Sequence, residues 1–396
     1  MKLGFNTTGN SQTSGRTTQA MNLGKLRNTV GSLTRKYKYC NNVDRNYVFQ
    51  CVFNQSIAPP PADGSIQTIV SLDGTILTST DFGVNWFVDT TYQYTTTLVD
   101  VAMGNNGQYR TVINGYSGSP NSFFTYNPNT KTWSQPTFTP TTNTNLTNIS
   151  MSNNGQYQYV FQIFSLFSIS SDSGINWSDY YSPDNTPDNT PDCSISLDNT
   201  GKNQVIAAAD SYGQSAVLYS NDYGSTWSGN ANITDENSAC INVGISPDGS
   251  RITTGTISDN IVPSIYTSID NGISWTQSVV NNPDGYTPYI FGVKITMSYN
   301  GKYQLTGTSG EFFGNNQGLL YISSDYGATW NSILNIPNSL FYLYWTSISV
   351  SNSGQVMSAV GNDGSNYYCF QSKDYGNTWN IVNTPPGIPI SAVAIN

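Results

Sequence analysis

Six copies of Ser-x-Asp-x-Gly-x-x-Trp run along this chain, at Ser79–Trp86, Ser170–Trp177, Ser220–Trp227, Ser268–Trp275, Ser323–Trp330 and Ser372–Trp379. A degraded seventh copy, Tyr126–Trp133, keeps only the Trp, so the repeat tryptophans fall at 86, 133, 177, 227, 275, 330 and 379, in steps of 47, 44, 50, 48, 55 and 49 residues. A period of that size with β-type composition is the mark of a radial array of four-stranded blades, one octapeptide per blade. The chemistry inside the octapeptide is that of a turn. Asp accepts hydrogen bonds from backbone N–H groups, Ser does so too, and Gly takes positive φ. The Trp then opens the next strand and buries a large ring with one N–H donor. Asp81, Asp172, Asp222, Asp270, Asp325 and Asp374, with Trp86, Trp177, Trp227, Trp275, Trp330 and Trp379, are therefore expected to be structural.

A second repeat lies upstream of each repeat Trp from Trp133 onward. Asn105–Tyr109, Asn153–Tyr157, Asn199–Gly201, Pro247–Gly249, Asn300–Tyr303 and Asn352–Gln355 carry Asn-Gly, Asp-Gly or related turn residues between apolar alternating runs, which signals hairpins. Each blade reads as strand A, this turn, strand B, a loop, strand C, the octapeptide, strand D. The chain ends on Ile390–Asn396, a strand A with no hairpin after it, whereas Tyr47–Gln50 repeats the strand B sequence Tyr159–Gln162. The expected fold is all-β: a seven-bladed β-propeller closed by one C-terminal and three N-terminal strands, with a basic N-terminal arm. Residues 1–45 are assigned to the arm and 46–396 to the propeller.

The octapeptides resemble the Asp box, or BNR repeat, of sialidase-like β-propellers, over roughly residues 46–396. The resemblance implies that the box occupies the turn between the third and fourth strand of a blade, away from the ligand face. It also brings the family's enzymes into question, which use three arginines, a Tyr/Glu pair and an acid/base Asp. Beyond residue 45 the chain has two arginines, Arg110 and Arg251, and two glutamates, Glu236 and Glu311. Neither a sialidase nor another carboxylate-pair glycosidase is expected.

Composition narrows the chemistry further. There is no histidine, which removes Ser-His-Asp and Cys-His machinery and His-ligated zinc together. The five cysteines, Cys40, Cys51, Cys193, Cys240 and Cys369, show no C-x-x-C spacing and read as buried free thiols. No catalytic residue, metal site or cofactor is expected. Met1–Asn10 contains no apolar signal-peptide core, and no run approaches a membrane span.

Charge is strongly segregated. Residues 1–45 hold eight basic side chains against Asp44, a net of +7, and residues 46–396 hold 7 basic and 23 acidic ones, a net of −16. Such asymmetry marks an interaction arm on an acidic body. The basic residues Arg16, Lys25, Arg27, Arg35, Lys36 and Lys38 alternate with Leu23, Leu26, Val30 and Leu33, whose steps would align on one helical face. A short docking helix and an extended arm ordered by a partner both fit this pattern. Interleaved apolar residues and few aromatics speak against nucleic acid as the partner.

These features lead to a non-enzymatic structural or interaction protein. The expectation is a virion component, capsid-associated, assembled in the host cytoplasm and anchored to other virion proteins through the arm. The arm is weakly similar to N-terminal arms of structural proteins from large DNA viruses of algae and protists. A carbohydrate-binding surface propeller is the alternative, and a nucleic-acid-associated scaffold ranks below it. For either ligand or partner, aromatics in or beside the loops opposite the octapeptides are the candidates: Tyr180, Tyr181, Tyr286, Tyr289, Phe312, Phe313, Tyr344 and Trp345.

Overall fold

A computed structural model describes residues 5–6, 48–49, 63–104, 107–115, 122–137, 146–162, 166–181, 192–209, 215–230, 238–258, 264–282, 294–308, 311–312, 315–316, 318–337 and 343–396. The chain divides into two compact units, Met1–Pro60 and Pro61–Asn396. In the first, Phe5–Asn6 pairs antiparallel with Val48–Phe49. The other arm residues singled out above lie outside the described residues.

The second unit is the propeller, and seven sheets form its blades. Blade one takes strand A from Ile390–Ile395 and strands B, C and D from Gln67–Ser71, Ile76–Ser79 and Phe87–Val88. Blade two is built from Leu98–Gly104, Tyr109–Asn114, Phe123–Asn127 and Thr132–Ser134. Blades three to five repeat the meander, starting at Leu146, Asp192 and Ser238. In blade six the inner strand is only Thr296–Met297, and Val279–Asn281 adds a fifth, parallel strand to the outer edge, pairing Val280 with Trp330. Blade seven runs from Tyr344–Val350 to Asn380–Ile381. The described residues contain no α-helix.

Ring closure follows the expected one-plus-three arrangement, with Gln67 opposite Ile395 and Thr68 opposite Ala394. Its strand B is not where the Tyr47–Gln50 repeat placed it. The Leu72–Thr75 turn after Ser71 is short, so the strand paired to Ile76–Ser79 is the segment just before it, Gln67–Ser71, which also pairs with the C-terminal strand. Similarity over four residues carried no information about register. The start of this unit is tied down by Asp63, whose carboxylate accepts the Asn352 and Ser353 amides at 2.9 and 2.8 Å in the A–B turn of blade seven.

Among the described residues no blade has a private core. The buried apolar residues form seven clusters, one at each seam between neighbouring blades, as in Ile113, Phe123, Ile149, Val160 and Trp177 between blades two and three. Strands with alternating side chains expose one face to each neighbour, so a twisted blade becomes stable only when both faces are covered. Polar links reinforce the seams. Asn154 N–H donates to the Asn199 carbonyl, Asn199 N–H to Pro247, Asp248 N–H to Tyr299 and Tyr299 N–H to Asn352, each at 2.7–3.2 Å, so successive A–B turns are tied from blade three to blade seven.

Candidate functional site

In each of the six octapeptides the Asp carboxylate is occupied by its own turn. In Ser79–Trp86 the Ser79 hydroxyl donates to Asp81 Oδ1 at 2.8 Å and accepts the Gly83 N–H at 2.9 Å. Asn85 donates its N–H to Asp81 Oδ1 and its side-chain amide to Oδ2, at 2.9 and 2.6 Å. Those bonds from Asn85 hold the Asp81 carboxyl at about 2, well below its ordinary 3.8. Trp86 Nε1 then donates to the Gly83 carbonyl at 3.1 Å, the pattern repeated at Trp177, Trp227, Trp275, Trp330 and Trp379.

Two features of this turn escaped the sequence reading. The residue before the Trp is always Asn, Thr or Ser (Asn85, Asn176, Thr226, Ser274, Thr329, Thr378) and always donates its side chain to Oδ2 of the Asp. Aligning the six copies would have revealed it. The residue before the Gly also takes positive φ, from Phe82 at 62° to Tyr375 at 61°. Several of those side chains then reach the preceding blade: Tyr223 stacks on Tyr157 with ring centres 5.0 Å apart, Tyr375 packs on Tyr303 at 4.8 Å, and Arg251 lies over Tyr326 at 4.9 Å.

Blade two lacks the Asp: Asn127 Oδ1 accepts the Asn129 and Thr130 N–H groups in the turn at 2.9 and 3.3 Å, and the Trp is held from the neighbouring blade. Trp133 donates to Asp89 Oδ2 at 3.1 Å, and the same oxygen pairs with Arg110, whose guanidinium lies 4.0 Å over the Tyr126 ring. Burial pushes the Arg110 guanidinium down from its ordinary value, against the pull of Asp89. Arg110 and Arg251, the two arginines of the propeller, are thus both engaged in blade packing at this end.

The inner strands surround a cavity of about 170 Å³. Their N–H groups that face away from the sheet are capped across the seams by side chains of the preceding blade: Val393 by Ser347, Ile395 by Ser349, Ile245 by Ser196 and Ile149 by Asp100, at 3.0–3.2 Å. Lys294, just before the short inner strand of blade six, reaches across the channel to Asp100 of blade two and also donates to the Ile149 carbonyl at 3.2 Å. Sequence reading missed this pair because its partners are 194 residues apart and belong to no motif.

The aromatic candidates divide. Trp345 is 3% exposed, donates to the Gly318 carbonyl at 3.1 Å and packs on Phe370. Tyr180 accepts the Trp227 indole N–H at 3.1 Å and packs into the seam between blades three and four. Trp345 is thus a core residue rather than part of a loop surface, and Tyr180 is half-buried on a strand beside a seam, with its hydroxyl engaged by Trp227. Tyr344 is half-buried at the head of an inner strand. Tyr181 pairs with Leu166 and Phe312 with Asn315 through the backbone, and their side chains lie outside the described residues, as do Tyr286, Tyr289 and Phe313. Cys369 is a buried free thiol, pushed up to about 12 by burial, and the side chains of the other four cysteines lie outside the described residues. Among the described residues no group of three His, Cys, Asp or Glu side chains is placed to hold a metal ion.

The fold defines the class, a β-propeller, and known structures agree. A structure of YCF48 bound to D1 peptide matches with a TM-score of 0.52 at 16% identity, over 78% of this chain and 90% of that one. U3-55K matches with a TM-score of 0.53 at 8% identity, over 76% and 86%. The GH74 xyloglucanase of Xanthomonas campestris matches at 0.51 and 14% identity, over 72% of this chain but only 45% of the xyloglucanase, so the chain spans under half of that enzyme's length. No protein-family model and no curated protein sequence matches the chain. At these identities the likeness is one of fold.

Proposed function

We propose that this chain is a non-enzymatic propeller that works by binding other proteins. One observation carries the reading: the two arginines beyond residue 45, which a sialidase-like site would need for a substrate carboxylate, are engaged in packing neighbouring blades together. Each octapeptide carboxylate is bonded within its turn, and Arg110 and Arg251 pack at the octapeptide end. Propellers of similar fold include one solved with a bound peptide, which supports a protein-binding use of the architecture. The glycan-binding alternative is weakened by the burial of Trp345 in the core and by the engagement of the Tyr180 hydroxyl with Trp227.

The finer reading is an Asp-box propeller that is a capsid-associated virion component, anchored through the basic arm. Its support is the +7 arm joined to a −16 body and a chain with 10% charged residues. Mass spectrometry of purified particles tests it, using the full chain and a chain lacking residues 1–40. The full chain should copurify with particles and the truncated chain should fold but stay behind. Equal incorporation of both would remove the anchoring role, and absence of the full chain would remove the virion assignment.

A further inference from the structure

The geometry points to a site for a basic side chain of a protein partner at the channel end opposite the octapeptides, occupied in the free protein by Lys294 as an internal stand-in. The acceptors are already placed. Asp100 is fixed by the Val101 N–H at 2.9 Å on Oδ1 and the Ile149 N–H at 3.1 Å on Oδ2, and the Ile149 carbonyl stands beside it. One carboxylate and one carbonyl, both held by backbone, suit an ammonium group. Lys294 fills that place from an unusual position. The inner strands of the other blades run six to eight residues, but that of blade six has two, Thr296–Met297, and Lys294 and Ile295 ahead of it have no strand partners among the described residues. An unpaired backbone gives up no ladder hydrogen bonds when the lysine withdraws, and its side chain is 26% exposed against 9% for Asp100.

Charge selects the incoming group. The propeller has seven cations, and Arg110, Lys131, Lys202, Arg251, Lys302 and Lys373 all lie in or beside A–B turns or octapeptides. Lys294 is the single one at the other end, in a body of net charge −16. A field of that sign attracts a basic segment and repels an acidic one. The cavity of about 170 Å³ that Asp100 and Lys294 line leaves room beside the pair for an entering side chain.

This inference rests on the protein-binding reading above but not on the virion assignment. Its test is fluorescence anisotropy of the full chain with the labelled peptide Gly-Ser-Lys-Ser-Gly and its norleucine analogue. Lys294→Gln should raise affinity for the lysine peptide by about tenfold or more, because the site is no longer self-occupied. Lys294→Arg should bind as the unaltered chain does, and Asp100→Asn should abolish lysine-dependent binding alone and combined with Lys294→Gln. A purely structural ion pair predicts the opposite: lost stability in both variants and no gain in binding. Equal binding of the two peptides, no gain in Lys294→Gln, failure of Lys294→Gln or Asp100→Asn to fold, or binding that survives Asp100→Asn would each overturn the proposal. A lysine-dependent gain in a chain that never enters particles would keep it and sink only the virion reading.

Discussion

Arg110 pairs with Asp89 at 3.4 Å across the seam between blades one and two, at the one place where the octapeptide has lost its Asp. Both side chains are 10% exposed, and Asp89 also takes the Trp133 indole N–H, so a charged cluster holds the indole that the octapeptide Gly carbonyl holds in the other blades. Removing one member strands the other. Asp89→Ala should cost about 3 kcal/mol in urea unfolding, more than Arg110→Met, which leaves a carboxylate still bonded to Trp133. An equal or reversed order would show that the cluster is not what holds this seam.

Acid should unfold the propeller through its turns. Asp81 has a folded value near 2 against an ordinary 3.8, and Asp172, Asp222, Asp270, Asp325 and Asp374 are lowered as well. A depressed folded value stabilises the fold above the unfolded one, and that contribution disappears as pH falls. Melting temperature should therefore be flat above about pH 5 and drop between roughly pH 4 and 2, with a shallower drop in Asp81→Asn. A transition centred near neutral pH would point to other groups.

The octapeptide glycine is held by two constraints that a pair of variants separates. Gly327 has φ +82° and a Cβ there would stand 2.6 Å from Thr267 Cγ2 of blade five, while Gly364 has φ +90° and nothing within 4 Å. Gly364→Ala should cost about 1 kcal/mol, from conformation alone, and Gly327→Ala clearly more, because the seam must also open. Equal losses by thermal melting would mean that the seam yields freely.

What could be read from sequence follows from what repeats. The octapeptide, its spacing and the hairpin turns occur in six or seven copies, so blade number, strand order and closure by the C-terminal strand were legible. Features present once were not. The first strand was placed on Tyr47–Gln50 because four residues looked like a strand B, although pairing in the sheet depends on the length that joins Ser71 to Ile76. Trp345 stood out as the tryptophan outside the repeat, yet its burial depends on Gly318 and Phe370 approaching from other strands. The Lys294–Asp100 pair shows the same limit at a distance of half the chain.

Cys369 gives a direct check on a seam. Its thiol is fully covered between blades seven and one, beside Ile69, Val360 and Val393, and burial holds it at about 12. The thiolate is the reactive form, so at pH 8 both access and ionisation oppose modification. Peptide mapping after iodoacetamide treatment should find Cys369 unmodified in the native chain and modified in 6 M guanidinium chloride, a concentration at which most folded domains are lost. Adding Val360→Ala, a change of about 2 kcal/mol in the same cluster, should speed native labelling by loosening the seam rather than by changing the thiol. Rapid labelling of the unaltered native chain would instead show that blades seven and one separate readily, and the closure by Ile390–Ile395 would then be the weak point of the ring.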